Sequence, residues 1–306
     1  MTRRLSIGRI IIYAILVLGS LGMAFPLAYG MVGSLCNLKM FYDRPWFPVP
    51  TELYLTNYQI MFTAKFIARV NIWGWILNTL FRIVWYVTIS GTIAVLAGYV
   101  FSKLRFKGRD AAFMYLLTSM MIPGIVFWIP TYIMLARFPG VGGNNALGQG
   151  GHGLVDSWPA LLVTGWVNVY QIFLFRQTFR SIPDDFEEAA RVDGASTLRC
   201  LKDVYLPMLK PTLTVLVIFE FVRFWNDYQW PLIVSSGNSK IWTLALGIQK
   251  MLLIGAEIKG YPEGTTVVDY PFQFAMAVVA TIPLIIMFFG LQSYFVEGVQ
   301  GFALKG

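Results

Sequence analysis

Six stretches of this chain are apolar over about 20 residues, the length a helix needs to cross the ~30 Å hydrocarbon core of a bilayer. They run over residues 10–32, 76–101, 111–136, 158–175, 211–234 and 271–296. In hydrocarbon every backbone N–H and C=O must find a partner inside the protein, so such runs predict helices rather than open strands. Composition agrees, with 57% of the residues hydrophobic and 13% charged, against about 25% charged in soluble domains. The expected fold class is an all-α integral membrane protein, a single domain over 1–306 with six transmembrane helices. Its first apolar run is too long for a secretory signal and lacks a small-residue cleavage site, so it is expected to stay as an anchor.

Orientation follows from Lys and Arg, which favour the cytoplasmic side. With the N-terminus inside, 14 of the 24 fall in inner segments and 8 in longer outer segments, leaving Arg82 and Arg223 within spans. The expectation is a multi-pass protein of the bacterial cytoplasmic membrane with both termini cytoplasmic. Because the net charge of +8 flanks apolar runs, it reads as a topology signal; membrane lipid is the expected surrounding and no nucleic-acid partner is expected.

The segment 181–207 then lies in the cytoplasm between spans four and five. Its apolar residues are too interrupted for a span, and it reads as a pair of short surface helices. Asp184 followed by Glu187 resembles a capping box behind Pro183, and Gly194 suits the stop of the first helix. A second helix is expected from Ser196 to Val204, before Pro207 and Pro211 turn the chain back. Six acidic residues lie among the basic ones here, which disfavours simple adhesion to anionic lipid.

Within that segment, Glu188-Ala189-Ala190, Gly194, Val204 and Leu206-Pro207 resemble the EAA signature of permease subunits of binding-protein-dependent ABC importers, with Val204 where the pattern often has Ile. The stretches AGYVFSKLRFKGRD (97–110), MMIPGIVFWIPTYIML (120–135), WNDYQWPLIV (225–234) and LQSYFVEGVQGFALKG (291–306) are similar to the carbohydrate-type, maltose-permease-like branch. The resemblance implies a second permease subunit in a heterodimer, two ATPase subunits and an extracytoplasmic solute-binding protein. It implies ATPase coupling at Glu187, Glu188, Ala189, Ala190, Asp193, Gly194, Leu206 and Pro207. The chain contains no Gly-Lys dipeptide and hence no P-loop. No cofactor and no catalysis are therefore expected in this chain, with ATP and Mg2+ on the partner ATPase.

Polar residues inside a span cost about 2.5–3.5 kcal/mol each on insertion scales, so they are expected to face protein or water. Glu220, Arg223, Asn226 and Asp227 recur at helical spacing on one face of the fifth run. With Arg82 and Tyr228 they are the candidates for the substrate path; a structural ion pair of Arg223 with Glu220 or Asp227 is the competing reading. Arg82 sits near a span end, where snorkelling to the interface would explain it as well. Trp225, Tyr228 and Trp230 offer faces for sugar rings or act as interface anchors. Two arginines in the path would suit an oligosaccharide of uronic acids, such as an alginate or pectin fragment, because guanidinium pairs bidentately with carboxylate.

The remaining features carry less. His152 is the only histidine, so neither a His-based metal cluster nor a Ser-His-Asp triad is expected. It lies in a Gly-rich outer loop, 141–154, expected to be flexible. That loop and the outer stretch 256–266 look longer than the family requires. Cys36 and Cys200 are expected on opposite sides of the membrane, without a disulfide. Pro123, Pro130 and Pro283 fall inside expected spans, where kinks are tolerated. An ion-coupled secondary sugar carrier would also place charges within a span, but it does not require an EAA-like loop.

Overall fold

The computed structural model describes residues 7–44, 46–63, 66, 70–258 and 268–303. The outer stretch 256–266 falls mostly outside them, as do Arg3, Arg4, Lys65, Arg69, Lys259 and Lys305 of the orientation argument. Among the described residues there is no β-strand. The helices, in chain order, are α1 (Ile7–Ser34), α2 (Leu38–Asp43), α3 (Thr56–Met61), α4 (Ile72–Lys103), α5 (Arg109–Thr118), α6 (Trp128–Ala136), α7 (Trp158–Leu162) and α8 (Val169–Ser181). They continue with α9 (Asp185–Val192), α10 (Thr197–Arg199), α11 (Leu206–Met208), α12 (Lys210–Trp225), α13 (Gln229–Ser235), α14 (Leu244–Ile258) and α15 (Tyr270–Ala303).

Among the described residues, three helices are long and apolar enough to cross a bilayer, Ile11–Ser34, Ile72–Lys103 and Tyr270–Gly290. Two bent pairs bring the total to as many as five: Arg109–Met121 with Gly124–Ala136, at 87°, and Thr197–Met208 with Lys210–Trp225, at 76°. Pro123 sits at the first bend, where it cannot donate to the preceding turn. Pro130 is tolerated in the first turn of α6, and Pro283 lies inside α15. The apolar run 158–175 is two helices, α7 and α8, because Asn168 leaves helical geometry and caps α8, accepting the Gln171 N–H at 3.4 Å. The run 211–234 likewise breaks after Trp225 and resumes as α13.

Contacts divide the chain into Met1–Asn71 with Ile248–Pro283, and Ile72–Gly247 with Leu284–Gly306. In the first unit, aromatic rings meet edge to face: Tyr29 with Phe274 at 5.8 Å, Phe41 with Phe274 at 5.8 Å and Phe66 with Phe272 at 5.8 Å. Buried Asn57 satisfies two loop carbonyls, those of Ser34 and Cys36, at 2.8 and 2.9 Å. Most of α1 carries outward apolar side chains, among them Leu18 and Met23, as suits a helix whose solvent is hydrocarbon. Cys36 and Cys200 are both buried and free.

The second unit is organised around α4, against which α8 and α12 pack. Lipid tails are as apolar as leucine, so helices in a bilayer associate by close packing rather than by expulsion of water. Gly98 of α4 permits that approach: a Cβ there would lie 2.6 Å from the Phe175 Cβ of α8. Around it Tyr99, Phe175, Phe179, Tyr205 and Leu209 form a fully packed core. A smaller cluster joins Leu135, Val155, Leu161, Trp230 and Val234.

The Gly-rich segment after α6 is tied down by hydrogen bonds, contrary to the expectation of a flexible loop. Asn144 donates to the carbonyls of Ala136 and Phe138 at 2.9 and 3.0 Å and accepts from the Gly151 N–H at 2.8 Å. Asp156 then accepts from the Gly237 N–H at 2.8 Å, and its carbonyl takes the Asn238 amide at 3.0 Å.

Candidate functional site

Two polar assemblies lie in the second unit, one around α9 and one in a cavity at the other end of α4. The α9 assembly begins with Lys103, the last residue of α4. Its ammonium donates to the Ile182 carbonyl at 2.7 Å and pairs with Asp184 at 2.5 Å. That ion pair holds the Asp184 carboxyl below its ordinary value. Asp184 therefore makes no side-chain cap on α9, and the expected capping box does not form. Lys103 competes for the carboxylate that the sequence pattern assigned to the helix end.

Glu187 does not reach back to the cap either. Its Oε1 accepts from the Tyr99 hydroxyl at 3.0 Å and from Arg191 Nε and Nη2 at 3.0 and 2.6 Å. Its Oε2 accepts from the Tyr205 hydroxyl at 2.7 Å. Burial pushes this carboxyl up, but the hydrogen bonds from Tyr205, Arg191 and Tyr99 outweigh it and hold the group below its ordinary value. One carboxylate thus joins α4, α9 and the π-helical turn Cys200–Tyr205. The rings beneath it interlock, with Tyr99, Phe179 and Tyr205 at mutual centroid distances of 5.3–5.7 Å.

Gly194 ends α9 as its position suggested. At φ +81° it occupies the left-handed region, and the Ala195 N–H reaches the Ala190 carbonyl at 2.9 Å while the Gly194 N–H reaches that of Arg191 at 3.0 Å. These are the two bonds of a Schellman stop. The second helix starts at Ser196, whose hydroxyl accepts the Arg199 N–H at 3.4 Å, and passes through the π turn to α11. Glu188, Ala189, Asp193, Gly194 and Pro207 are exposed, whereas Ala190 and Leu206 are half-buried. Phe186, Val192 and Leu198 stand beside them as exposed apolar side chains.

The second assembly surrounds a cavity of about 660 Å³. Of the six residues the sequence nominated for the path, Arg82, Arg223, Asn226 and Asp227 line it. Glu220 does not: it is 1% exposed and faces α8, accepting from Asn168 Nδ2 at 3.2 Å and from Gln171 Nε2, with Arg223 Nη1 at 3.5 Å. Tyr228 stands partly exposed outside the lining.

Arg82 does not snorkel. It is 1% exposed and pairs with Asp227 at 2.8 Å, so the sequence's candidate pairing of Arg223 with Asp227 is replaced by Arg82 with Asp227. Its guanidinium carbon lies 4.7 Å from the centre of the Phe224 ring, itself stacked on Tyr86 at 4.0 Å. The Arg82 Nε and Nη1 are buried without a hydrogen-bond partner. Arg223 is half-exposed, with its guanidinium 4.9 Å from the same ring. Trp230 is buried in the lining and donates to the Ala160 carbonyl at 3.1 Å, while Trp225 is buried against Phe221. Tyr86, Trp128, Thr164 and Gly165 are also part of the wall. None of these four stood out in the sequence, because an aromatic residue, a threonine or a glycine in an apolar run looks like packing until its neighbours are placed.

An apolar chain whose described residues form helices and no strand, with two bent helix pairs, a polar cavity and a short acidic helix docked on the end of the longest packed helix, has the architecture of a membrane transport subunit. The chain belongs to the binding-protein-dependent transport system inner membrane component family, whose model matches residues 90–301. It is 27% identical over 289 residues to the sn-glycerol-3-phosphate transport system permease protein UgpE of Salmonella typhimurium (strain LT2), covering 94% of each chain. It is 26% identical over 257 residues to the arabinooligosaccharides transport system permease protein AraQ of Halalkalibacterium halodurans, covering 84% of this chain and 81% of that one. These relatives are transport permeases rather than enzymes.

Among solved structures, it superposes with a TM-score of 0.73 and 24% identity on a chain of a bacterial ABC transporter involved in import of the acidic polysaccharide alginate, covering 96% of this chain and all of that one. A second alginate ABC transporter, in complex with an alginate pentasaccharide-bound periplasmic protein, aligns at a TM-score of 0.61 and 15% identity over 90% of this chain and 91% of that one. These likenesses establish a shared fold.

Proposed function

We propose that this chain forms half of the translocation path of an ATP-driven importer for a carbohydrate, an oligosaccharide bearing acidic groups. The observation that carries the reading is the family match over 90–301. The relatives' names support the substrate class: one transports arabinooligosaccharides, one a phosphorylated polyol, and the structural neighbours import an acidic polysaccharide. The cavity, with Arg82, Arg223, Asn226 and Asp227 on its wall, is the proposed contact with cargo; Glu220 and Tyr228 act from outside its lining.

In this reading the chain makes six passes with both termini in the cytoplasm, the broken runs over 111–136, 158–175 and 211–234 each counting as one pass. It pairs with a second, related permease, receives cargo from an extracytoplasmic solute-binding protein and docks two ATPase subunits that hold ATP and Mg2+. The segment 181–207 is the coupling element. Glu188, Ala189, Asp193, Gly194 and Pro207 face the ATPase with Phe186, Val192 and Leu198, while Glu187, Ala190 and Leu206 hold the element to the spans. Nucleotide-driven closure of the ATPases moves this element and exchanges inward- and outward-facing states of the path.

The test is co-purification from the native membrane in mild detergent, followed by ATPase assays with the binding protein and a panel of neutral and acidic oligosaccharides. An associated ATPase stimulated by an acidic saccharide is the expected result. A chain that purifies alone, with uptake that survives ATP depletion and collapses with an ion gradient, would instead identify a secondary carrier.

A further inference from the structure

We propose that the Arg82 guanidinium is a carboxylate-binding subsite in which Asp227 is a resident counter-anion, exchanged for a sugar carboxylate when an acidic ligand enters the cavity. Arg82 cannot withdraw: it is 1% exposed, is packed against Phe224 and keeps two buried N–H groups, Nε and Nη1, without a partner. A guanidinium is always charged and presents its donors as a planar fork that matches a carboxylate. Asp227 uses one oxygen on Arg82 and offers the other to the Trp230 N–H at the start of α13, at 3.4 Å. Its side chain is 22% exposed, so on leaving Arg82 it can keep the hydrogen bond from the Trp230 N–H and reach water.

The charges of the wall favour such an exchange. Arg82, Arg223 and Asp227 are the charged residues lining the cavity, and Arg223 also has Glu220 at 3.5 Å behind the lining, so a wall that has given up Asp227 to water leaves the Arg82 guanidinium for one incoming anion. Burial makes an unpaired Arg82 costly. A neutral sugar cannot replace the lost partner and leaves the pair closed, whereas a uronate supplies both the charge and the paired oxygens. Asp227 thereby sets selectivity by competition.

This inference rests on the importer reading only for the origin of the anion. The co-purified protein, with whatever partners it retains, is melted in lipid nanodiscs against galacturonate or galactose at constant ionic strength. Galacturonate raises the melting temperature of the wild type saturably and galactose does not. Asp227→Asn, which removes the competing charge, lowers the half-effective galacturonate concentration about tenfold, and the Arg82→Gln/Asp227→Asn double variant loses the response. An equal response in wild type and Asp227→Asn, or a response that persists in the double variant, overturns the exchange. Should Asp227→Asn fail to assemble, Arg82→Lys keeps the charge and the pair but loses the fork; its galacturonate response weakens about tenfold, and an undiminished one overturns the subsite. The melt reads binding alone. A chain that purifies without an ATPase and shows these shifts refutes the importer and keeps the subsite, and an ATP-driven importer without them does the reverse.

Discussion

Replacing Glu187 with Gln should loosen α9 from the membrane-spanning helices while leaving those helices intact. The carboxylate has a side chain only 12% exposed and takes hydrogen bonds from Tyr99 at 3.0 Å and Tyr205 at 2.7 Å, besides Arg191. Hydrogen bonds to a charged group contribute about 1.5–3 kcal/mol each and neutral ones about 0.5–1.5. Glutamine retains one acceptor oxygen, so one tyrosine keeps a neutral bond and the other loses its acceptor. The net loss is about 2 kcal/mol, or about thirtyfold in the ratio of docked to undocked α9. Hydrogen exchange on the purified complex reads this directly. Amides of 185–192 should exchange about thirtyfold faster in Glu187→Gln when they open locally, with amides of 83–95 unchanged as an internal control. Glu188→Gln, at an exposed neighbour, should leave both segments as in the wild type. If α9 exchange is unchanged in Glu187→Gln, or Glu188→Gln accelerates it equally, the carboxylate does not hold the helix. The pH dependence has a fixed sign. Because the folded-state value is depressed, the stabilisation is fully present above the ordinary carboxylate value of about 4.3 and is lost as pH falls below it through the depressed value.

Other substitutions separate structural from partner-facing roles. Beyond its chain neighbours nothing lies within 4 Å of a Cβ built on Gly194, and the left-handed backbone there, φ +81°, costs an Asp about 1–2 kcal/mol at most, so Gly194→Asp should still insert yet abolish transport; wild-type uptake by Gly194→Asp combined with Glu188→Ala would count against coupling through this segment. Gly98→Ala should cost about 1–3 kcal/mol by overpacking, seen as a lower melting temperature, because the new Cβ meets Phe175 at 2.6 Å; unchanged melting would mean that α4 and α8 separate freely. Arg223→Ala should weaken ATPase stimulation by acidic saccharides more than by neutral ones, and equal effects would reduce Arg223 to a partner of Glu220.

The two assemblies were unequally legible in the sequence. Around α9 the signal was local: Gly194 needs only its own φ to stop a helix, and Ser196 only its own hydroxyl to start one, so position along the chain was enough. Glu187 was placed in the correct helix but given the wrong partner, because a capping box is a rule about the nearest backbone N–H. Besides Arg191 four residues on, its actual donors are Tyr99 and Tyr205, 88 and 18 residues away. The cavity depends on such distant contacts throughout. Helical spacing put Glu220 and Arg223 on one face, yet a helix between two neighbours has more than one buried face, and Glu220 turned toward Gln171 while Arg223 turned toward the cavity. Arg82 was weighed as a snorkelling side chain because an interface can solvate any arginine near a span end; the acceptor that holds it inside, Asp227, belongs to the turn where the fifth run breaks. The break itself was invisible to hydropathy, since the residues on both sides are apolar.

Communication between the assemblies, as proposed for transport, does not require a long relay of side chains. The helix α4 carries Arg82 at the cavity and Tyr99 at the Glu187 junction without interruption, a separation of 17 residues or about 25 Å at 1.5 Å per residue. The other link, α12, starts next to α11 across the 76° bend and ends with Arg223 on the cavity wall. Both rods meet at each end: through Arg82, Phe224 and Asp227 at the cavity, and through the packing of Tyr99, Tyr205 and Leu209 beside α9. In the proposed mechanism, a rotation of α9 and the π turn would act on the base of both helices and would be felt at the cavity as a relative displacement of Arg82 and Asp227. The hydrogen-bonded contact of that ion pair, at 2.8 Å, is lost once its atoms separate beyond about 3.5 Å. Under the proposed function, the same pair would respond to a ligand carboxylate from one side and to movement of the cytoplasmic segment from the other, a coupling free energy of the kind that linking cargo to nucleotide hydrolysis requires.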